Sequence, residues 1–139
     1  MEASLEGSMD AVCEDVARSL GYRVEHDVDI GPGVISQVWS RHEHPNLPEI
    51  KFAVQILTEM GDVDPDMITS NAMRSLWTDC DHLIFVVPDP ATAKSIQGKV
   101  KSFDAIGGFI QLHKYITTIT IGELAKGLAS ASRTGEAGA

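Results

Sequence analysis

His82-Leu83-Ile84-Phe85-Val86-Val87 is the stretch of sequence that decides the fold, and Pro88-Asp89-Pro90 follows it directly. This almost uninterrupted apolar run predicts a strand buried on both faces of a sheet, because a strand with one face in water alternates apolar and polar residues. Proline ends a strand and suits the first turn of a helix, so we expect a helix from there to about Phe103. The sequence therefore predicts a central buried strand followed by a helix.

Further elements are predicted on both sides of this strand. Apolar residues recur at helical spacing in residues 4–20 and again in residues 65–77, where Asp64 precedes Pro65 as an N-cap. The segments expected to be strands are Tyr22–Ile30, Val34–Arg41, Lys51–Leu57, Phe109–Leu112 and Tyr115–Ile121, with a turn at Gly31-Pro32-Gly33 and a last helix at Gly122–Ser130.

The predicted order of elements is α-β-β-β-α-β-α-β, followed by a further extended run and a helix. A three-strand antiparallel meander, a crossover helix and a buried strand indicate an α/β fold with a mixed β-sheet flanked by helices. We expect a single domain over residues 1–130 and a flexible C-terminal tail over residues 131–139, which are rich in Ser, Gly and Ala. The residues expected in the core are Val12, Val16, Leu20, Phe52, Val54, Leu76, Ile84 and Val86.

Composition is typical of one globular domain in a reducing compartment. The chain has 139 residues, 43% of them hydrophobic, and this length suits one domain with its own core. No apolar run approaches the roughly 18 residues that a membrane span needs, and the N-terminus lacks the pattern of a signal peptide. Cys13 and Cys80 form no CxxC pair, so we expect reduced, buried thiols in a cytoplasmic protein.

Charge is distributed unevenly along the chain. Residues 1–90 contain 17 of the 20 acidic residues but only 5 of the 11 Lys and Arg, and the formal net charge is -9. Such acidity opposes nonspecific binding of polyphosphate, which depends on Lys and Arg, and therefore favours a protein partner or self-association. Nucleic acid stays open as a partner, because Lys94, Lys99 and Lys101 can form one basic face and are candidate nucleic-acid contacts.

Four segments, taken with the order of elements, resemble one known family. They are Leu20-Gly21-Tyr22 at the end of the first helix, Phe52–Ile56, Asn71–Leu76 and His82–Pro88. Together they resemble the PD-(D/E)XK, or restriction-endonuclease-like, nuclease superfamily over residues 5–103. The resemblance is one of pattern and not of a strict signature. It implies the restriction-endonuclease-like core and a role in DNA-related processes.

The chemistry of that family depends on a few residues of two strands. A carboxylate at the start of the second strand and another on the third hold Mg²⁺, which activates water and stabilises charge developing on the phosphate. A Lys two residues after the second carboxylate lies on the same face of the strand, since side chains alternate with a period of two. It orients or deprotonates the attacking water.

In the alignment that fits the predicted elements best, these positions carry other residues. The first carboxylate falls at Ser36 or Gln37, the second at Ala53 and the Lys at Gln55. The resemblance therefore places the family's active-site positions on residues that cannot hold Mg²⁺, because none of them is a carboxylate.

A carboxylate that some members of the family contribute from the first helix falls near Cys13. The neighbouring Glu14 is expected to point toward solvent, about 150° from the centre of the apolar stripe of the helix. This alignment implies a catalytically degenerate protein that is not an enzyme and needs no cofactor. It would act as a binding or assembly module.

A second alignment keeps the catalytic motif. Glu49-Ile50-Lys51 is a literal E-x-K, and Asp29 lies twenty residues upstream. In this alternative the protein is an active Mg²⁺-dependent endonuclease, with Asp29 and Glu49 as metal ligands and Lys51 beside the attacking water. The family motif lies near the end of its strand, whereas Glu49 and Lys51 open theirs. The two alignments therefore predict opposite activities.

Overall fold

The computed structural model describes residues 5–29, 33–58, 62–107 and 112–127, and its elements follow the predicted order as far as residue 107. The helices are α1 (Leu5–Ser19), α2 (Pro65–Trp77), α3 (Pro90–Gly107), α4 (Leu112–Tyr115) and α5 (residues 121–127). The strands are β1 (Arg23–Asp29), β2 (Val34–Arg41), β3 (Ile50–Ile56), β4 (His82–Val87) and β5 (Ile116–Thr120).

The five strands form one mixed sheet in the order β1-β2-β3-β4-β5. β1, β2 and β3 are an antiparallel meander, whereas β4 pairs in parallel with both β3 and β5. The predicted α/β class, the meander and the interior place of β4 are confirmed. The helix α2 supplies the crossover that a parallel pair of strands requires.

Helices cover both faces of this sheet. One core cluster joins the sheet to α2 and α3 and includes Ile68, Phe85 and Ile96, while the other joins it to α1 and α5 and includes Met9 and Val86. Because Phe85 and Val86 are consecutive residues that belong to opposite clusters, β4 is buried on both faces, as its apolar sequence predicts.

The chain after α3 differs from the prediction. Leu112 begins the short helix α4 and is not part of a strand, and residues 109–111 of the predicted strand lie outside the described residues. Most of the predicted turn at residues 31–33 lies outside the described residues too, as do the end of the last helix and the predicted tail 131–139. The domain boundary at residue 130 therefore stays a prediction.

Six of the eight residues expected in the core lie in it. Val16, Val54 and Val86 are buried, and Val12, Phe52 and Ile84 are partly buried against the α1 cluster. The prediction is wrong for Leu20, which is 47% exposed, because α1 ends at Ser19 and Leu20 belongs to the following turn.

The prediction is also wrong for Leu76, which is 51% exposed. The helix α2 instead buries a partly polar stripe, in which Ser75 is 0% exposed and Asn71 is 3% exposed. Asn71 donates to the carbonyl of Met67, and the Ser75 hydroxyl lies 2.7 Å from that of Tyr115. These hydrogen bonds allow polar side chains to face the sheet, and the helix is rotated so that Leu76 points away from it.

Candidate functional site

Ser36 lies where the side-chain alternation of β2 is interrupted. The pairing of β1 with β2 passes from His26↔Gln37 to Val28↔Ile35, and between these pairs Asp27 has a positive φ of 48°. Ile35 shares the α2–α3 core cluster with Val38, although residues three apart on a regular strand point to opposite faces. The backbone therefore kinks at Ser36, in the region to which the resemblance assigns the first catalytic carboxylate.

At this kink, hydrogen bonds between side chains and backbone groups link β2 to β3. The Ser36 N–H donates to Gln55 Oε1 at 3.0 Å, and the Ser36 hydroxyl lies 3.4 Å from the same oxygen. The N–H of Ile56 in turn donates to Ser36 Oγ at 3.1 Å. Ser36 and Gln55 are thus brought together, and both use their polar atoms on each other and on the adjacent backbone.

The other two residues of this alignment lie apart from that pair. Ala53 is 0% exposed and belongs to the α2–α3 cluster, two residues before Gln55 on the same face of β3. Gln37 is also fully buried, but it faces α1, where its amide donates to the carbonyl and to Oδ1 of Asp10 at 2.9 and 2.8 Å. Its own oxygen accepts from Trp39 Nε1 at 2.8 Å, so Gln37 connects α1 to the sheet.

An acidic cluster around His26 joins α1 to β1. His26 Nε2 is hydrogen-bonded to Glu14, and His26 Nδ1 lies 3.4 Å from Asp10 Oδ2. Glu14, expected to point toward solvent, has a side chain that is 30% exposed and that also contacts β1, because this strand places His26 beside α1. The hydrogen bond with His26 lowers the pKa of Glu14, and the same bond raises the pKa of His26. Sequence reasoning missed this cluster, which depends on which strand lies next to α1.

The alternative catalytic residues lie at opposite ends of the meander. Asp29 pairs with Val34 at the start of β2, whereas Glu49 precedes Ile50, which pairs with Arg41 at the end of β2. Seven residue steps separate these ends, about 23 Å at the usual rise of a strand. The sheet register therefore does not bring the carboxylates of Asp29 and Glu49 together.

Glu49 and Lys51 have other partners at their end of the sheet. Glu49 forms ion pairs with Arg23 at 3.5 Å and with His42 at 3.4 Å. The Lys51 backbone is held by Asp81, whose carboxylate accepts the Lys51 N–H at 2.9 Å and whose own N–H donates to the Lys51 carbonyl at 2.8 Å. These contacts give both residues a structural part in joining β1, β3 and β4.

The donor sets do not fit Mg²⁺, the ion that the fold family implies. Ser36, Ala53 and Gln55 offer no carboxylate, and the only side-chain carbonyl among them already accepts from Ser36. In the second alignment the two carboxylates are too far apart to share an ion. Across the described ranges, no group of three or more His, Cys, Asp and Glu residues could hold a metal ion.

Two of the three candidate lysines lie together. Lys94 and Lys101 are exposed and line a groove of about 560 Å³ between α3 and β5, which His113 also lines. Lys99 does not line this groove; it forms an ion pair with Asp62 and a hydrogen bond to Ser95, beside a depression that Lys94 also lines. The bond with Lys99 lowers the pKa of Asp62. In the described part of the chain, Lys99 is therefore the one of the three lysines that is paired with a carboxylate.

Comparison with known proteins supports the fold and no finer assignment. No protein-family model and no curated protein sequence matches this chain. Among solved structures, the chain is similar to the restriction endonuclease FokI bound to DNA, with a TM-score of 0.54 and 10% sequence identity. The match covers 96% of this chain and 26% of the FokI chain.

At this identity the likeness shows the fold alone, and the predicted restriction-endonuclease-like fold is confirmed. The chain spans about a quarter of the length of the endonuclease that it matches. Within the described part of the chain, no helix is long and apolar enough to cross a membrane.

Proposed function

We propose that this chain is a catalytically degenerate nuclease-fold protein that acts as a binding or assembly module in DNA-related processes. The observation that carries the proposal is the bond between Ser36 and Gln55, at positions where the resembled family holds its metal ion. A neutral amide and hydroxyl that satisfy each other offer neither the charge nor the free oxygens that Mg²⁺ requires. Metal-assisted phosphodiester cleavage depends on such an ion to activate water.

The surface charge supports a protein as the partner of this module. A net charge of -9 repels nucleic acid, a dense polyanion, at long range, whereas a protein partner need not carry such a charge. Nucleic acid is the second candidate, supported by the fold and by Lys94 and Lys101 in one groove. A cytoplasmic location accords with two free, buried cysteines.

A cleavage assay tests the proposal directly. The purified protein is incubated with supercoiled, linear, branched and single-stranded DNA in Mg²⁺ and in Mn²⁺, beside Glu49→Ala and Lys51→Ala. Glu43→Ala and Lys126→Ala are matched controls, since they remove the same groups at exposed positions elsewhere. We expect no cleavage by any of these proteins.

Cleavage that Glu49→Ala and Lys51→Ala abolish, and that the controls leave intact, would overturn the proposal. It would establish the alternative, a metal-dependent endonuclease that uses Asp29, Glu49 and Lys51. If cleavage occurs and none of the substitutions affects it, the protein is purified by a second step and the activity is measured again. Activity that copurifies with the protein would also contradict the degenerate interpretation.

A further inference from the structure

The two edges of the sheet differ in how they are protected against a further strand. At one edge, β1 reads Arg-Val-Glu-His-Asp-Val-Asp and is kinked at Asp27, whose φ is 48°. Charged side chains and kinks are the devices by which proteins block pairing at a sheet edge. At the other edge, β5 reads Ile-Thr-Thr-Ile-Thr, with no charge and no proline. Among the described residues no strand pairs with the outer edge of β5, so this edge offers a place for a further strand.

A cationic groove lies along this open edge. Five residues of α3 line it: Lys94, Gln97, Gly98 and Lys101, which are exposed and recur at the spacing of one helical stripe, and the buried Val100. Among the described residues that line the groove, none is acidic, although acidic residues outnumber Lys and Arg by 20 to 11 in the whole chain. Positive charge is thus concentrated where β5 presents its unpaired edge.

We propose that the β5 edge binds an extended acidic segment of a partner protein as a sixth strand, with its carboxylates against Lys94 and Lys101. The two lysines are seven residues apart on α3, about 10.5 Å along the helix axis. Their long side chains can reach carboxylates two or four residues apart on one side of an extended strand. Backbone pairing supplies affinity in this mode of recognition, and alternate side chains supply specificity. The inference rests on the proposed role as a binding module and names its partner.

Two other occupants fit the groove less well. Single-stranded nucleic acid is held by aromatic stacking and a track of positive charge, and none of the described residues that line the groove is Phe, Tyr or Trp. A second copy that paired through its own β5 would bring two sets of Lys94 and Lys101 together, with like charges opposed. An acidic peptide strand meets neither difficulty, and where its carboxylates lie against Lys94 and Lys101 their attraction opposes the repulsion by the net charge of -9.

Gly98 provides a way to block the groove without disturbing the fold. A Cβ at Gly98 would have no heavy atom within 4 Å, so a larger side chain would project into open space. Gly98→Phe therefore fills the groove, and Gly98→Ala is its matched control. Lys101→Glu reverses the charge in the groove, and Lys126→Glu makes the same change on α5.

The experiment is a titration of the ¹⁵N-labelled protein, followed by amide shifts, with an alternating Glu-Thr octapeptide. A Glu-Pro octapeptide keeps the charge but cannot complete a strand ladder, and a Lys-Thr octapeptide reverses the charge. We expect saturable shifts centred on residues 116–120 with the Glu-Thr peptide alone. Gly98→Phe and Lys101→Glu should weaken binding by about five-fold or more, and their controls by less than about two-fold.

Several results would overturn the inference. Equal binding of the Glu-Pro peptide, or equal weakening by Lys126→Glu, would show attraction to the overall charge without strand addition. If the amide shifts do not saturate at millimolar concentrations of the Glu-Thr peptide, the β5 edge is not a binding site for it. Tighter binding of a thymidine oligonucleotide, or a dimer that Gly98→Phe dissociates, would assign the groove to nucleic acid or to a second copy. These outcomes are separate from DNA cleavage, which alone tests the degenerate active site.

Discussion

The side-chain oxygen of Gln55 accepts a hydrogen bond from the backbone N–H of Ser36 at 3.0 Å, across the boundary between β3 and β2. A side chain here replaces a backbone partner at the one point where β2 departs from regular alternation. Because an unpaired N–H costs stability when it is withdrawn from water, Gln55 has a structural part independent of any ligand. The same bond occupies the side-chain oxygen that Gln55 would have to offer to a metal ion.

Gln55→Ala should lower the free energy of unfolding by about 1–2 kcal/mol, because it leaves the half-buried Ser36 N–H without its acceptor. Urea unfolding at neutral pH measures the loss. The control is Gln97→Ala on the exposed surface of α3, which should change stability by less than about 0.5 kcal/mol. Equal losses in the two variants would mean that the Ser36–Gln55 bond contributes nothing to stability.

The bond between His26 and Glu14 should make stability depend on pH. Its effect is to raise the pKa of His26 above the ordinary value of 6.5, so the folded protein binds a proton more tightly than the unfolded chain. The stabilisation is fully present below 6.5 and is lost as pH rises through the raised pKa of folded His26. Wild type should therefore exceed His26→Gln in unfolding free energy by more at about pH 6 than at pH 9.

Urea unfolding of both proteins at the two pH values checks this sign. His44→Gln is the control, since His44 is an exposed residue of the loop between β2 and β3. A difference that is constant with pH, or that grows toward pH 9, would contradict the contact between His26 and Glu14.

Tyr115→Phe should cost about 1–2 kcal/mol of unfolding free energy. The Tyr115 hydroxyl lies 2.7 Å from Ser75 Oγ and 3.2 Å from the carbonyl oxygen of Cys80, and Ser75 is 0% exposed. Removing the hydroxyl leaves buried polar groups of α2 and of the segment before β4 with fewer partners. Thermal unfolding and urea unfolding should agree on the loss.

Tyr22→Phe is the control for this substitution. The ring of Tyr22 makes an edge-to-face contact with Phe52, and the Arg41 guanidinium lies 4.6 Å from its centroid; a phenylalanine ring preserves both contacts. We expect a change below about 0.5 kcal/mol. If both variants lose the same stability, the network of Ser75, Tyr115 and Cys80 is not what holds α2 to the sheet.

The fold could be predicted from the sequence where one local pattern decides an element. β4 is such a case, because a short, almost uninterrupted apolar run is typical of a strand that is buried on both faces of a sheet. The burial of Ser75 in place of Leu76 could not be predicted, because it depends on the hydroxyl of Tyr115, forty residues later. Helical periodicity shows which residues of a helix are apolar, but it does not show which polar residues form hydrogen bonds with the rest of the fold.

The candidate site shows the same limit at longer range. The alignment assigns Ser36 and Gln55 to one region of the sheet. The hydrogen bond between them depends on the kink at Asp27, which no local sequence pattern predicts. The separation of Asp29 from Glu49 follows from the register of β1, β2 and β3 and not from their spacing in sequence. A sequence motif shows which residues are present, whereas the register of the strands determines which of them lie close together.

Ala53→Glu places a carboxylate at the position to which the resemblance assigns the second metal ligand, and we expect it to destabilise the protein by about 3–5 kcal/mol. Ala53 is 0% exposed within the apolar α2–α3 cluster, so the new charge would be buried without a partner. Thermal unfolding with and without millimolar Mg²⁺ measures both the loss and any rescue. Ala93→Glu, at a position 7% exposed in the same cluster, is the matched control. An ion that bound only the folded state would raise the melting temperature. We expect no such rise with Mg²⁺ for either variant. Rescue of Ala53→Glu and not of Ala93→Glu would mean that this region retains metal-binding geometry, against the degenerate site proposed above.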